Sequence, residues 1–437
     1  MSEERPNPRQ ALLTSHFKKP FHVGMFTETY TPVINGVVTS VRGLSQTLRQ
    51  QGYRVTVVAP YHPNQEPEED VFRLPSTVYP PIPEQRMILP PSIRKWARLS
   101  RLHFDLIHTH GAFPILGLAC ARTMGLPLVH TYHTRMRDYV HYYPWYPYIA
   151  AFSDESKWYM THRASARIRR QLDKRTISIA GRFDTWFSNQ CSALITPTEV
   201  IAHELRNMGV HRPIDVIPNG IDVSALRQPK PDPFLKWGIS KGSRLLTVSR
   251  LGKEKSVEFL IAQVRAILPT RPDVKLVILG DGPERSNLQT YAKDLGVSGH
   301  IVFGGYIPNS EVGAFYQHAD VFVFASTTET QGMVALEAAA CGLPVVARAA
   351  GGIAESLPDG IAGYLVPTHS SERFTQRVLE LLNFDAREGM SQKATLWAET
   401  GSLETMAERV LHSYEKAQRH FDEKQRERQI FSENLLD

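Results

Sequence analysis

Short apolar segments alternate with amphipathic helical segments along almost the whole chain of 437 residues. In the first half, segments of strand length begin with Phe21–Phe26 and end with Ile214–Pro218. After a proline-containing segment, 222–241, the alternation begins again at Arg244–Ser249 and reaches residues 343–348. Such alternation is typical of parallel sheets with helices on both faces. The pattern therefore predicts an α/β chain with two doubly wound sheets.

Composition fits a globular chain that does not cross a membrane. Hydrophobic residues make up 42% of the sequence, enough for full cores, and the length suits about two domains. The chain has no apolar run of about 18 residues, and the polar first 19 residues lack the apolar core of a signal peptide. The three cysteines lie far apart without metal-ligand spacing, which favours a reducing compartment. We therefore expect a cytoplasmic protein.

The stretch from Glu329 to Glu337 carries the strongest functional signal. An apolar strand precedes it, and an almost wholly apolar helix, 333–341, follows until a glycine and a proline end it. Glu337 is the one charge on this helix. Because so apolar a helix is expected to be buried, its carboxylate needs a hydrogen-bonding partner. The free N–H groups near Gly332 and Met333 form an anion site. An anion site between two carboxylates suits a sugar nucleotide, with phosphates for the amides and hydroxyls for the acids.

Two further strand ends carry candidate ligands for a phosphorylated substrate. Arg250 and Lys255 follow the strand that restarts the pattern, and two cations there suit a diphosphate, although a solvated loop is an equal alternative. A turn with Gly280 and Gly282 follows the next strand, where glycine allows close backbone approach to a ligand. A tight turn into a helix explains these glycines equally well. No Asp-x-Asp motif lies near a strand end, so we predict no metal site.

The first half offers weaker candidates. Gly36 leads into the first helix, next to exposed amides that suit a phosphate or a transferred sugar. His133 follows a strand, and a strand-end histidine can orient a sugar hydroxyl or a pyrophosphate oxygen. His108, His110 and His130 compete with it, and a structural role is the ordinary one for a single histidine.

Taken in this order, these residues resemble the retaining glycosyltransferases of family 4, which have the GT-B architecture, over nearly the whole chain. The resemblance implies that Arg250 and Lys255 hold the donor diphosphate and that Glu337 binds the ribose hydroxyls. Glu329 is then expected to contact hydroxyls of the transferred sugar. His133 approaches that sugar from the other domain, so the two expected catalytic residues are Glu329 and His133.

The resemblance also implies backbone contacts to the donor and a mechanism. Retention at the anomeric carbon comes from the resemblance alone, and we favour same-face transfer in which the departing phosphate takes the acceptor proton. Besides the residues already named, the expected donor-binding residues are Gly36, Gly282, Gln331, Gly332, Met333 and Val334.

The family architecture implies two Rossmann-like domains that face a central cleft. The expected units are a tail, 1–19, an acceptor-side domain, 20–225, a donor-binding domain, 226–402, and a helix crossing back to the first domain, 403–437. Leu403–Lys424 fits the crossing helix.

A narrower resemblance concerns the acceptor. The stretch 131–144 is similar to the corresponding part of bacterial diacylglycerol glucosyltransferases, as is the segment 27–37. An aromatic and basic insert, 145–182, departs from their pattern, so other acceptors stay open. This resemblance implies UDP-glucose as the donor and a membrane lipid such as diacylglycerol as the acceptor.

Basic residues concentrate in two stretches of the first half, 94–101 and 157–175, although the net charge of the chain is only +6. An amphipathic basic helix can lie in an anionic interface, where each basic residue contributes about 1 kcal/mol. Trp158 is a candidate anchor for such a helix, and a solvated helix packed on its domain is the alternative. The second stretch forms one basic helical stripe, made of Arg163, Arg167, Arg170 and Lys174.

These features together predict a cytoplasmic hexosyltransferase bound to the inner face of the plasma membrane, without a tightly bound cofactor or a nucleic-acid partner. Two alternatives stay open. The first keeps the chemistry and uses a soluble or another lipid-linked acceptor. The second is a sugar-nucleotide epimerase of the same shape, which the spacing of the two glutamates and the two cations disfavours.

Overall fold

Two parallel sheets dominate the computed structural model, and most of their strand residues are buried. Helices cover both faces of such sheets, which explains why the strands are nearly continuous apolar runs rather than alternating ones. The predicted α/β class with two doubly wound sheets is confirmed. The described residues are 21–33, 35–78, 86–111, 114–133, 178–240 and 242–433.

The first sheet lies in the first half of the chain. The described strands of this half are β1 (His22–Thr27), β2 (Arg54–Pro60), β3 (Val71–Leu74), β4 (Ser76–Val78), β5 (Arg86–Ile88), β6 (Leu106–His110), β7 (Leu128–Thr131), β8 (Ala193–Thr196) and β9 (Ile214–Val216). All of them except β4 and β5, which form a separate antiparallel ladder, belong to the first sheet. The parallel sheet has the order β3-β2-β1-β6-β7-β8-β9, and β4 pairs with β5. The order reverses between β1 and β6, so ligands are expected at the carboxyl ends of these strands.

The second sheet repeats this arrangement. Its strands are β10 (Arg244–Val248), β11 (Lys275–Leu279), β12 (Ile301–Gly305), β13 (Val321–Phe324), β14 (Val345–Arg348) and β15 (Gly363–Val366). The order is β12-β11-β10-β13-β14-β15, all parallel. Here the reversal falls between β10 and β13, and the loops that leave these two strands are therefore neighbours.

Helices connect the strands. In the first half they are α1 (Gly36–Gln50), α2 (Ile93–Ser100), α3 (Ile115–Met124), α4 (178–188) and α5 (Glu199–Asn207). The later ones are α6 (Val223–Arg227), α7 (Val257–Ile267), α8 (Arg285–Asp294), α9 (Asn309–His318), α10 (Met333–Ala340), α11 (Ile353–Ser356), α12 (Ser371–Leu381), α13 (Phe384–Ala398) and α14 (Leu403–Glu433). Within the described ranges, no helix is both long enough and apolar enough to cross a bilayer.

The last helix, α14, returns from the second half and packs on the first sheet. Met406, Val410 and Tyr414 recur every four residues, so they lie on one face of the helix, and that face belongs to the core of the first sheet. Lys416 Nζ also lies 2.6 Å from Asp215 Oδ1 on β9. The exact domain boundaries, 225/226 and 402/403, stay a prediction.

Candidate active site

The reversal point of the second sheet collects the cations and the first carboxylate singled out in the sequence. β10 leads into a loop with Arg250 and a short 3-10 helix, Lys253–Lys255. The neighbouring strand β13 leads into the loop that holds Glu329. Lys255 Nζ forms an ion pair with Glu329 Oε1, and both side chains are only 19% exposed. Water screens such a sheltered pair weakly, so each charge holds the other in place.

Arg250 has a different partner on its own loop. Its Nη2 atom lies 2.6 Å from Glu254 Oε1, and the Arg250 side chain is 43% exposed. A guanidinium has five N–H donors, more than one carboxylate can take, so Arg250 is able to bind a phosphate while it stays paired with Glu254.

The loop after Glu329 ends in the N-terminus of α10. Gly332 has a φ of +87°, and a Cβ on it would lie 2.8 Å from Ile353 Cδ1, so the position requires glycine. This left-handed residue turns the chain into α10, and as the cap it has no side chain for the first N–H groups. The amides of Met333 and Val334 are among those N–H groups. With the positive end of the helix dipole they form an anion site.

Gly36 approaches this helix start from the first half of the chain. Asn35 caps α1, with its Oδ1 3.0 Å from Val38 N, and thereby fixes the position of Gly36. A Cβ on Gly36 would lie 4.0 Å from Met333 Sδ. The structure therefore brings Gly36 and the N-terminus of α10 together.

Glu337 lies one turn further along α10. It follows Met333 by four residues and so lies on the same side of the helix. The hydrogen-bonding partner that its carboxylate needs is Tyr316 on α9, whose hydroxyl donates to Glu337 Oε2 at 2.9 Å. Burial raises the pKa of Glu337 to about 7, against a smaller opposing effect of the Tyr316 hydrogen bond. The carboxyl therefore changes its protonation state close to neutral pH.

Gln331 joins the two halves of the chain. Its side chain is buried, and Oε1 accepts from the Asn219 backbone N at 2.7 Å and from Asn219 Nδ2 at 2.8 Å. Gln331 Nε2 donates to Asn219 O at 3.1 Å, and the Ser356 hydroxyl donates to Gln331 O. These bonds engage the side chain and the carbonyl, which leaves the backbone N–H for the predicted donor contact.

His133 lies beside the Glu329 loop. Its carbonyl oxygen accepts a hydrogen bond from Thr330 Oγ1 at 3.2 Å, and its side chain is buried. His133 Nε2 lies 3.0 Å from His110 Nδ1. Burial lowers the pKa of His133 to about 4, so the ring is neutral near pH 7. The structure thus places a neutral histidine from the first half next to the carboxylate loop of the second.

Gly282 contacts the Arg250 loop. A Cβ on it would lie 2.5 Å from Leu251 O, and Leu251 N donates to Asp281 O at 2.9 Å. The close backbone approach predicted from the glycines is therefore made to the chain itself. Gly282 supports the loop of Arg250, and direct contact with a donor stays a prediction.

A cavity also lies between the two halves, lined by Thr198 and Pro218 on one side and by Gln331, Gly332 and Trp397 on the other. Of the predicted donor ligands, only Gln331 and Gly332 line it. Its lining holds neither the Lys255–Glu329 pair nor Glu337. This cavity is therefore not the predicted donor site.

The predicted membrane residues Arg163, Arg167, Arg170, Lys174 and Trp158 lie outside the described residues.

Tyr316 and Asn219 form hydrogen bonds to site residues, and the sequence did not predict either of them as a partner. Tyr316 occupies an ordinary core position of α9, and Asn219 is 112 residues from Gln331, so no local pattern indicates either contact. Among the described residues, no group of three or more His, Cys, Asp or Glu side chains could hold a metal ion.

Two family models match the chain. The model described as Glycosyltransferase Family 4 matches residues 34–225, and the model described as Glycosyl transferases group 1 matches residues 234–397. The first match includes most of the first sheet, and the second includes the whole of the second sheet.

Named proteins are similar over most of their length. Alpha-monoglucosyldiacylglycerol synthases of Streptococcus pneumoniae and Acholeplasma laidlawii are each 31% identical, over 75% of this chain and 70% and 80% of theirs. D-inositol 3-phosphate glycosyltransferase of Paenarthrobacter aurescens is 29% identical, over 73% of this chain and 75% of its own. The crystal structure of Anabaena HepE in complex with UDP and glucose has a TM-score of 0.68 at 16% identity, covering 90% of this chain and 99% of that one. The two Rossmann-like sheets and these similarities confirm the predicted family: the chain is a glycosyltransferase of family 4 with the GT-B architecture.

Proposed function

We propose that this glycosyltransferase moves glucose from UDP-glucose to diacylglycerol at an anionic membrane surface, with retention at the anomeric carbon. The observation that supports UDP-glucose as the donor is the Lys255–Glu329 ion pair beside the N-terminus of α10. Cations and N–H donors suit a diphosphate, and carboxylates suit hydroxyls. The names of the similar proteins support the choice of glucose and of diacylglycerol.

In this proposal each residue has one role. Arg250, Lys255 and the first amides of α10 hold the diphosphate and stabilise the charge that develops on it as it leaves. Glu337 accepts hydrogen bonds from the ribose hydroxyls, because two O–H donors satisfy one carboxylate. Glu329 accepts from hydroxyls of the glucose.

The transfer is a same-face substitution. The bond between the anomeric carbon and the β-phosphate oxygen breaks, and the acceptor hydroxyl oxygen bonds to that carbon on the face the phosphate leaves. The hydroxyl proton passes to an oxygen of the departing phosphate, so UDP leaves without a side chain having to act as the base. A covalent route would instead need Glu329 as a nucleophile at the anomeric carbon, whereas this proposal assigns Glu329 to the glucose hydroxyls.

The described surface that best fits a membrane is α2 with the ladder before it. Ile93 is 89% exposed at the start of α2, and Val78, Met87 and Leu89 are exposed nearby. Three exposed arginines lie on one helical face, at intervals of four and three residues: Arg94, Arg98 and Arg101. Leu99, in contrast, is fully buried. Exposed apolar and basic side chains on one helix are typical of interfacial attachment.

Reversal of Arg94, Arg98 and Arg101 to glutamate is expected to release the enzyme from anionic vesicles. Each basic residue near such a surface contributes about 1 kcal/mol, so binding should fall roughly 100-fold or more. Sedimentation with phosphatidylglycerol vesicles measures this loss. The matched control reverses three exposed basic residues near the second sheet, Arg265, Lys293 and Arg373. Equal loss in both variants would show that only overall charge matters, and no loss in the α2 variant would remove α2 from the interface.

The proposed reaction is tested by a screen of radiolabelled UDP-glucose, UDP-galactose and GDP-mannose. Each is offered with diacylglycerol in anionic or neutral vesicles, and with buffer alone. We expect label in the lipid phase from UDP-glucose, and more of it with anionic vesicles. Label on an added soluble acceptor alone would favour the soluble-acceptor alternative. An isomerised sugar nucleotide formed without any acceptor would favour the epimerase.

A further inference from the structure

Three buried histidines form a column on the face of the first sheet that α14 covers. His108 and His110 are two residues apart on β6 and so lie on one face, and His133 follows β7. The ring centroids of His108 and His110 are 4.0 Å apart, and those of His110 and His133 are 5.3 Å apart with an interplanar angle of 20°. Each buried imidazole has two nitrogens that need partners, so such a column is costly unless its hydrogen bonds are satisfied.

His108 satisfies both of its nitrogens. Nδ1 lies 2.7 Å from the Tyr414 hydroxyl on α14, and Nε2 lies 2.7 Å from Thr131 Oγ1 on β7. Two short hydrogen bonds to different elements fix the plane of this ring. His108 therefore offers His110 a rigid surface to pack against.

His110 satisfies only one nitrogen. Nδ1 lies 3.0 Å from His133 Nε2, and Nε2 is buried with no hydrogen-bond partner among the residues that the structure describes. Burial lowers the pKa of both rings, so near pH 7 each carries one N–H. A buried N–H without a partner is rarer than a buried acceptor without one. The hydrogen of His110 is therefore assigned to Nδ1, where it is donated to His133 Nε2.

This assignment fixes the state of His133. Because its Nε2 accepts, its own hydrogen is on Nδ1, which makes no hydrogen bond to any described residue. His133 is also held through its carbonyl by Thr330, the residue after Glu329. The N–H of His133 Nδ1 is then a donor for an oxygen of the sugar nucleotide.

We propose that His110 is a positioning residue: through its Nδ1–H···Nε2 bond it holds His133 in one ring plane and one tautomer, with an N–H at Nδ1 for the donor substrate. This inference rests on the proposed function and on the prediction from the sequence that His133 contacts the donor substrate. His110 acts through His133 and does not touch the substrate.

Two substitutions separate this role from simple packing. His110→Phe keeps a buried ring and removes both nitrogens, and His110→Asn keeps an amide donor close to the position of Nδ1. For His110→Phe we expect kcat for UDP-glucose turnover to fall about 10- to 100-fold, the range seen for residues that orient metal-binding histidines. The KM for UDP-glucose and the Kd for UDP should change little, and His110→Asn should recover most of kcat.

The matched control is His130→Phe on the opposite face of the sheet. His130 is equally buried, packs edge-on against Tyr132 and Phe187, and bonds Thr109, which keeps a second acceptor, Val129 O. Long-range ¹H–¹⁵N spectra of the histidine-labelled full chain report the tautomer directly, with the His133 signals assigned by their loss in His133→Asn. We expect an Nδ1–H tautomer for His133 in the parent and the His110→Asn protein, and a mixture in His110→Phe.

Several results would overturn the positioning role: parental kcat in His110→Phe, no recovery in His110→Asn, an equal loss in His130→Phe, or the same His133 tautomer in every variant. Acceptor-free hydrolysis of UDP-glucose supplies kcat without a lipid, so an error in the acceptor does not affect the result. If the parent does not turn over UDP-glucose at all, the proposed donor fails, and the tautomer spectra still test His110.

Discussion

Glu337→Gln is expected to weaken UDP binding about 10- to 100-fold at pH 8, the loss of charge-assisted hydrogen bonds worth about 1.5–3 kcal/mol. The ionised carboxylate can accept from both ribose hydroxyls, whereas an amide offers one oxygen and two N–H donors. Calorimetric titration with UDP measures this difference. The matched control is Glu372→Gln, an exposed glutamate on α12, which should bind UDP as the parent does. Parental affinity in Glu337→Gln would refute the ribose role.

The pH dependence of the parent sharpens this test. Burial gives Glu337 a pKa of about 7, and the protonated carboxyl can accept from only part of the diol. UDP affinity in the parent should therefore fall as the pH falls below 7, by up to about tenfold per pH unit. The part of this dependence that comes from Glu337 should be missing in Glu337→Gln, so the affinities of the two proteins for UDP should converge near pH 5.5. Parallel pH curves for both proteins would contradict the assignment.

The same substitution is expected to stabilise the fold above pH 7. Folding raises the pKa of Glu337 from 4.5 to about 7, so between these values the folded chain keeps a proton that the unfolded chain has lost. The stability contributed by this group is full below pH 4.5 and is lost as the pH rises through 7. At pH 8, Glu337→Gln avoids this loss, and its free energy of unfolding should exceed that of the parent by on the order of 1–3 kcal/mol. Urea unfolding at pH 5 and pH 8 measures the difference, which should be small at pH 5.

Glu329→Gln is expected to lower kcat about 10- to 100-fold while it strengthens UDP binding. The carboxylate is proposed to accept from glucose hydroxyls as the glycosidic bond breaks, and a neutral amide accepts more weakly. UDP lacks the glucose, so it does not lose this interaction. UDP should instead bind more tightly to the variant. In the parent, Lys255 is paired with Glu329, so its charge is shared between Glu329 and the diphosphate, whereas in Glu329→Gln the diphosphate has it alone.

Separate measurements of turnover and of UDP binding distinguish these two effects of Glu329→Gln. Lys255→Met serves as the comparison, since it should weaken UDP binding and lower kcat together. If Glu329→Gln turns over like the parent, Glu329 is not in the reacting part of the site. If it binds UDP more weakly, the idea that Glu329 competes for Lys255 is wrong.

The sequence predicted what depends on buried strands and missed what depends on contacts between distant residues. β13 and β14 are apolar runs bounded by turns, and both were expected within two residues of their observed bounds. β3, the β4–β5 ladder and β15 were not expected, because each is short and only partly buried. The segment 222–241 looked like a proline-containing linker, yet it contains α6 and the 3-10 helix Pro233–Trp237.

The candidate site followed the same rule. Glu329, Lys255 and Arg250 could be placed together because parallel strands align the loops that leave them. Lys255 pairs with Glu329 rather than with Glu254, its neighbour in the sequence. This choice depends on tertiary packing, which a local sequence pattern does not show. The histidine column needed the strand register as well, since the pairing of β6 with β7 places Thr131 opposite His110 and within hydrogen-bonding distance of His108 Nε2.

The packing of α14 on the first sheet determines the order in which the two halves of the protein can complete their folding during synthesis. Met406, Ala407, Val410, Tyr414 and Ala417 belong to the core that contains β1 and α1. A chain emerging from the ribosome thus exposes the first sheet long before the residues that cover it exist. The second sheet, made entirely from residues before α14, is able to complete its core earlier. The half of the protein that is synthesised first is therefore the half that finishes folding last.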